Sequence, residues 1–455
     1  MQETSKTNSE TQSSGAIRSP LIALARWRDE FAEMLSARVR MSRLGFRQTW
    51  YLGPMTLGTF TIQLATGVLL MLYYHPSIPQ GYADMKDLQF VVSSGNLLRN
   101  LHRWSAHAMV FLVFCHMAKV FYRGAYRPPR ELNWCVGVVL LLLTLLLSYT
   151  GYLLPWDQLS YWGTTVGASI MSSLPVIGTS LRFHLLGGLS VNANVLLRFY
   201  VLHTMILPLL VILLISIHLW RLHQDGGMYA HGEKPEPAPD ASGHALSNGV
   251  SEAVVEEPTL SYGELLFREI IAIETLAAVL ITMGLLWNAP LAQLADPLHT
   301  PNPAKAPWYF SGLQEMLHYF PPIFAGVLVP GLVLTALVVI PYFNVNIQGE
   351  GIFLNLKTRS RHVRICAAVV VVVTAFLLFF DVYVALPATL VVATLLFAAA
   401  GAAPDAPAGF RHWLASKPLS FWIMTWFLME LVSLTAVGTL FRGPGWAWVW
   451  PWRGY

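Results

Sequence analysis

His102 and His116 lie fourteen residues apart inside one apolar stretch of the sequence, and His203 and His218 lie fifteen apart inside another. At 1.5 Å rise per residue, the members of each pair stand roughly 21 to 23 Å apart along a helix, two levels within a hydrocarbon core of about 30 Å. An imidazole in lipid has no water to satisfy it, so a matched set of four points to a bound ligand. Any single one could instead be a buried ring bonded to a neighbouring carbonyl; two matched pairs argue against that. Two helices that each offer an imidazole at two depths can clamp two stacked haems. Iron held by two imidazoles has no open axial position, which suits electron transfer rather than binding of small molecules.

The facing of the rings can be checked by arithmetic. On a straight α-helix a fourteen-residue step returns to within about 40° of the same face, whereas a fifteen-residue step overshoots by about 60°. Pro208 lies between His203 and His218, and a proline kink or a local change of winding would restore the facing. Glycines on the flanking apolar stretches repeat the spacing: Gly53 and Gly67 are fourteen apart, as are Gly137 and Gly151. They would give each level a glycine from either side, where a macrocycle can approach the backbone. Arg99, Arg103 and Arg198 lie near the level of His102 and His203; they either pair with haem propionates or snorkel to lipid headgroups. Lys119 and Arg221 lie near His116 and His218, where they would stabilise a propionate or a reduced quinone.

The elements that must hold these residues are membrane helices. Of 455 residues, 55% are hydrophobic and 12% charged, and the mean hydropathy is +0.51. Soluble domains carry about a quarter charged residues, so the expected class is an all-α polytopic membrane protein. Nine apolar spans are expected, near 50–74, 97–122, 133–153, 195–222, 266–288, 321–342, 364–380, 383–401 and 419–441. The chain divides into a leader at 1–48 with a surface amphipathic helix over 21–35, a di-haem four-helix bundle at 49–224, a flexible linker at 225–262, and a C-terminal part at 263–455 with about five further transmembrane helices. Residues 1–20 lack the order of a signal peptide, which leaves targeting to the first membrane helix. The leader, the Arg123, Arg127, Arg130 loop and the Lys357, Arg359, Arg361, Arg364 loop are basic. By the positive-inside rule the N-terminus is then cytoplasmic, and nine crossings put the C-terminus outside. The closing GPGWAWVWPWRGY fits an interfacial aromatic belt or a docking tail. A scattered net charge of +4 excludes a nucleic-acid partner. Cys115, Cys135 and Cys366 sit in apolar stretches with neither haem-attachment nor zinc spacing, and read as buried small hydrophobes.

With these residues in place, the chain resembles cytochrome b of the cytochrome bc complexes, the quinol:cytochrome c reductases. The resemblance rests on QLATG at 63–67, RNLHRWSAH at 99–107, RPPRELNW at 127–134, GYLLPWDQLSYWG at 151–163 and RFYVLH at 198–203, together with the histidine spacings. It is nearest to the photosynthetic branch, in which the four-helix part and subunit IV are separate chains, here fused. It implies an outer haem b on His102 and His203 and an inner haem b on His116 and His218. It also implies quinol oxidation on the outer side, beneath a loop holding Pro155, Trp156, Asp157, Tyr161, Trp162 and Gly163, and a quinone site near the inner haem. Implied partners are a Rieske iron-sulfur protein and a cytochrome c-type subunit, in a homodimer within a larger complex of a bacterial inner membrane. One electron would pass to the Rieske protein and the other inward through the haems, generating proton motive force.

Three departures stand out. The family's outer quinol site carries Pro-Glu-Trp-Tyr, with the Glu accepting a proton; here the stretch is Ala306-Pro307-Trp308-Tyr309. Glu315, two helical turns on, is the expected substitute base, with His318 behind it. The photosynthetic branch attaches an extra haem through a cysteine that aligns with Tyr51, so no covalent haem is expected. The C-terminal part has more helices than the split form. A haem b anchor of another respiratory complex, such as a nitrate reductase, is the second reading, and a transporter or scaffold with incidental histidines the third.

Overall fold

Long apolar segments in lipid can satisfy their backbone polar groups only internally, which makes helices the default. The computed structural model describes residues 38–40, 50–225, 259–343, 351–401 and 409–452. The amphipathic helix expected over 21–35 and most of the linker lie outside the described residues. In chain order come β1 (Arg38–Arg40), α1 (Leu52–Met71), a short α2 (Gln80–Phe90), α3 (Gly95–Tyr122), α4 (Glu131–Tyr152), α5 (Gln158–Ser172) and α6 (Gly178–Leu186). Next, α7 (Ala193–Val201) passes through a π-turn, Leu202–Ile206, into α8 (Leu207–Gln224). The C-terminal part holds β2 (Thr259–Ser261), α9 (Tyr262–Leu286) and α10 (Trp308–Tyr319). A second π-turn, Ile323–Leu328, leads into α11 (Val329–Val339), followed by α12 (Leu356–Phe379), α13 (Leu386–Ala400), α14 (Phe410–Ala415) and α15 (Leu419–Leu440).

The chain is thus an all-α polytopic membrane protein. Among the described residues, eight helical runs are long and apolar enough to cross a membrane: α1, α3, α4, Ala193–Gln224, α9, Ile323–Tyr342, α12 and α15. The eighth expected span, 383–401, is the correction. It forms α13, an apolar helix of 15 residues, about 22 Å long and so shorter than a hydrocarbon core of about 30 Å.

The chain divides into two units. The smaller comprises residues 1–51 and 239–272. In it, β1 and β2 pair antiparallel with Arg38 opposite Ser261, and Arg268 bridges Glu264 at 2.7 Å. The larger unit holds the bundle. Phe60 of α1, Met109, Val113 and Met117 of α3, Val138 and Leu141 of α4, and Leu207 and Val211 of α8 form its main core. Val68, Leu209, Leu213, Val371 and Val372 are more than half exposed. An exposed apolar rim of this kind is stable where lipid is the solvent.

The two π-turns share a cause. Each ends two residues before a proline, Pro208 or Pro330. Pro208 has no N–H for the carbonyl of Thr204 and its ring would crowd that carbonyl in an α-helix. The wider turn relieves both, with Leu207 N–H bonding to the carbonyl of Leu202. It takes up one extra residue, so the fifteen-residue step from His203 to His218 closes like a step of fourteen. The change of winding expected from Pro208 is therefore present as a π-turn that contains His203 itself.

Candidate functional site

Within the bundle the rings of His102 and His203 face each other, their centroids 6.1 Å apart and their planes at 81°. Two metal–imidazole bonds of about 2 Å, plus about 1.1 Å from each nitrogen to its ring centre, require roughly 6.2 Å across one iron atom. The tautomers also fit. His203 Nδ1 is 3.1 Å from the carbonyl of Leu147, which can only accept, so Nδ1 carries the proton and Nε2 the free lone pair. His102 Nδ1 is 2.8 Å from Thr66 Oγ1. That hydroxyl donates to the carbonyl of Ile62 at 2.7 Å, leaving a lone pair to accept from Nδ1–H. These residues fit a haem held through two Nε2 atoms.

Each of the four glycines stands against one of the four histidines. A Cβ on Gly67 would meet His102 Cε1 at 3.4 Å, and one on Gly151 would meet His203 Nδ1 and Nε2 at 3.0 Å. A Cβ on Gly53 would lie 3.7 Å from His116 Cε1, and one on Gly137 would lie 3.9 Å from His218 Cε1. The protein atoms to which these glycines give room are imidazoles, on α1 against α3 and on α4 against the α7–α8 run, with Met117 Sδ of α3 also against Gly137 at 3.6 Å.

The charged groups divide. Arg103 and Arg99 line the cavity that contains His102 and His203. Arg103 lies over the Tyr152 ring at 5.2 Å, and its Nε is buried without a hydrogen-bond partner among the described residues, as suits a group that pairs with a propionate. Arg99 is committed elsewhere: its Nη1 and Nη2 donate to the carbonyls of Ala289 and Pro290, both at 2.8 Å. Arg198 is exposed and packs beside Gly187, away from that cavity wall. Arg221 pairs with Asp225 at 3.4 Å and lies one turn beyond His218, as Lys119 lies one turn beyond His116.

The cavity wall extends outward to Tyr152, Pro155, Ala289, Pro290 and Tyr309, joining the end of α4 to the loop after α9 and the start of α10. Trp156 is buried, and its carbonyl accepts from Ala295 N–H at 3.2 Å. Tyr161 meets Trp156 and Trp162 edge-on. Trp162 Nε1–H donates to Gln158 and to the carbonyl of His299. Gly163 lets α5 pack closely on Tyr152 and Leu153. Asp157, expected among the catalytic residues, is a structural cap. Its Oδ1 accepts from the backbone and hydroxyl of Ser160, and its Oδ2 from Ala292 N–H at 3.0 Å.

Glu315 also differs from expectation. It is fully buried and away from the cavity wall. Its oxygens accept from Arg442 Nε at 3.1 Å and also from Arg442 Nη2, from Tyr319 OH at 3.0 Å and from Trp446 Nε1 at 2.9 Å. Burial opposes the Arg442 charge, but the bonds to Glu315 outweigh it and raise that guanidinium further, while burial and Glu315 push Tyr319 up to about 12. Its oxygens are engaged by Arg442, Tyr319 and Trp446 and do not line the cavity, which argues against it as the substitute base. His318 is exposed and lines a separate cavity with Asp381 and Trp448.

Several contributors escaped the sequence reading: Thr66 and the Leu147 carbonyl behind the histidines, Tyr74 donating to the carbonyl of Leu154 at 2.7 Å, and His107 behind Tyr309. One signal was available. Thr66 precedes Gly67 and Thr150 precedes Gly151, and Thr150 Oγ1 is 3.3 Å from His203 Nδ1.

Comparison with known proteins bears on the same residues. Residues 40–226 match the family described as cytochrome b/b6/petB, and residues 294–399 match cytochrome b (C-terminal)/b6/petD. Over 175 residues the chain is 45% identical to the cytochrome b6 of Heliobacterium mobile, covering 38% of this chain and 82% of that one. It is 39% identical to the cytochrome b6 of Acaryochloris marina, covering 81% of it. A solved chain from a hyperthermophilic respiratory complex III aligns with a TM-score of 0.59 at 22% identity, over 93% of this chain and 98% of that one.

Proposed function

Because the chain belongs to the cytochrome b/b6 family, we propose that it is the di-haem subunit of a quinol:cytochrome c oxidoreductase. In this reading it oxidises quinol on the outer side of a bacterial inner membrane and works with a Rieske-type protein, a cytochrome c-type subunit and a second copy of itself. Haem b bound at the two histidine levels supplies one-electron transfer across the thickness of the membrane.

The protein's own residues account for the rest. Leu147 and Thr66 hold the Nδ1 protons of His203 and His102 and so aim both Nε2 lone pairs inward. Arg103 offers its guanidinium to a propionate. Tyr309 and Pro155 close the outer end of the same cavity, where a flat quinol ring finds aromatic and apolar walls. Arg99 and Asp157 pin the loop over it, which keeps water from the reacting oxygen. Orientation follows from the arginines of the α3–α4 loop. They lie at the histidine end occupied by His116 and His218, and Trp134 there donates to the carbonyl of Leu337 near the end of α11. The chain leaves α11 at this end, and the basic residues expected in a loop, Lys357, Arg359, Arg361 and Arg364, instead open α12; we assign this end to the cytoplasm.

The observation that carries the reading is the 6.1 Å separation of two imidazoles with fixed tautomers, facing a cavity that runs to Tyr309. The purified complex should show two b-type haems per chain in reduced-minus-oxidised spectra, reduction by a short-chain quinol, and a co-purifying iron-sulfur protein. His203→Leu should remove one haem. Absence of b-type bands would overturn the assignment, and haems without an iron-sulfur partner would point to an anchor of another redox complex.

A further inference from the structure

His107 lies on α3 five residues inward of His102 and belongs to neither histidine pair. From α10, Trp308 Nε1–H donates to its Nδ1 at 2.9 Å, and the Tyr309 ring meets the imidazole edge-on at 5.5 Å. From its own helix, Trp104 lies 5.6 Å away. Tyr309 is part of the wall of the outer cavity, with Arg103 and Tyr152. One half-buried imidazole therefore backs the two aromatic residues that begin α10, of which Tyr309 lines that cavity.

The chemistry of this bond is one-sided. An indole can only donate, so Nδ1 must present its lone pair and the single proton of the neutral ring sits on Nε2. A second proton can be taken only at Nδ1. There it would face the indole N–H, donor against donor, and the N–H···N bond must break. The cation that bears on the ring is Arg103, one turn outward on the same helix. The titratable group facing it from α10 is Tyr309, and α4 contributes Tyr152 across the cavity.

We propose that His107 is a positioning residue of the outer quinol cavity, a latch that holds Trp308 and through it Tyr309 in the cavity wall while neutral and releases both when protonated. This rests on reading that cavity as the quinol site.

The test uses the purified complex, measuring KM for a short-chain quinol across acid to neutral pH. The hydrogen-bond-sensitive resonance Raman band of Trp308 is read in parallel, isolated by difference from Trp308→Phe. Loss of one net hydrogen bond corresponds to about a fivefold change in KM. In the wild type, KM should rise by that factor on acidification as the Trp308 band moves to its unbonded position. His107→Asn places a non-titrating carbonyl oxygen where Nδ1 lies, and should keep both the low KM and the bonded band at every pH. His107→Leu should show the raised KM and the unbonded band throughout, with both haem spectra intact. An acid limb that survives in His107→Asn, or a Trp308 band identical in the wild type and His107→Leu, overturns the latch. A Trp308 band that follows His107 in a complex that never saturates with quinol supports the latch chemistry and instead refutes the quinol reading of the cavity.

Discussion

At the scale of the residue, Thr66 shows how one hydroxyl can set the tautomer of a histidine. It donates along its own helix to Ile62 and accepts from His102, so His102 is held with its proton on Nδ1 and with Nε2 free for the ligand role proposed for it. Thr66→Val removes the acceptor. Outer-site haem affinity should then fall by about 10- to 100-fold while the inner site is unchanged, as read by haem titration into apoprotein followed at the two b-type components. The glycines give a graded test. Gly151→Ala would force a methyl to 3.0 Å from two ring nitrogens of His203, whereas Gly53→Ala would place it at an ordinary 3.7 Å from His116. The first should lose the outer haem and the second should retain the inner one, counted in reduced-minus-oxidised spectra. The glycine spacing was legible in the sequence. The threonine role was not, because a helical threonine normally bonds back to its own helix and its second bonding capacity is invisible without the neighbouring helix.

At the scale of the element, the unequal histidine steps are reconciled by winding. Sequence arithmetic located the discrepancy and Pro208 as its remedy, since both are one-dimensional. It did not identify a π-turn rather than a kink, because that choice depends on which arrangement keeps Leu207 N–H and the Leu202 carbonyl bonded. Two deletions separate the cases. Removing Met205, inside the π-turn, together with Pro208→Ala lets an α-helix run through with His203 and His218 fourteen apart, so both haems should remain. Removing Leu213, beyond the turn, leaves the wide turn in place and rotates His218 by about 100°. The inner haem should then be lost while the outer stays, as counted by haem per chain. The expectation for α13 failed for a related reason: hydropathy over 383–401 does not show that Val382–Ala385 spends residues on a turn closed by Ala385 N–H to the Val382 carbonyl at 3.2 Å.

At the scale of the whole molecule, bonds between residues far apart in sequence join the histidine-bearing bundle to the C-terminal helices, and these were the least legible part of the chain. Asn100 of α3 donates to the carbonyl of Gly284 at 2.9 Å and accepts from Ala289 N–H at 2.8 Å, while Arg99 and Asp157 fix the same loop. Read along the sequence, Asp157 and Glu315 look like unpartnered acids beside a quinol-site motif, and the reading as a base followed from that. Glu315 meets its cation 127 positions away, a separation that no local pattern encodes. The pair locks α10, which carries Trp308 and Tyr309, to the segment after α15. Glu315→Ala would leave Arg442 buried without its counter-charge, a loss of about 3 to 5 kcal/mol. The midpoint of thermal unfolding should fall, and Glu315→Ala with Arg442→Leu should recover most of it. The folded state raises Arg442 above its unfolded value, so the arginine's contribution is complete below that value and fades only as pH climbs through it, far above neutrality. The stability gap between wild type and Glu315→Ala should therefore be flat from about pH 6 to 9. Glu315→Gln, which keeps the volume and, with its oxygen at the Oε1 position, the bonds from Tyr319 OH and from Arg442 Nε and Nη2, should oxidise quinol at close to the wild-type rate per folded complex. A folded Glu315→Gln complex with both haems present and no quinol oxidation would restore Glu315 as the proton acceptor and remove the structural role assigned to it.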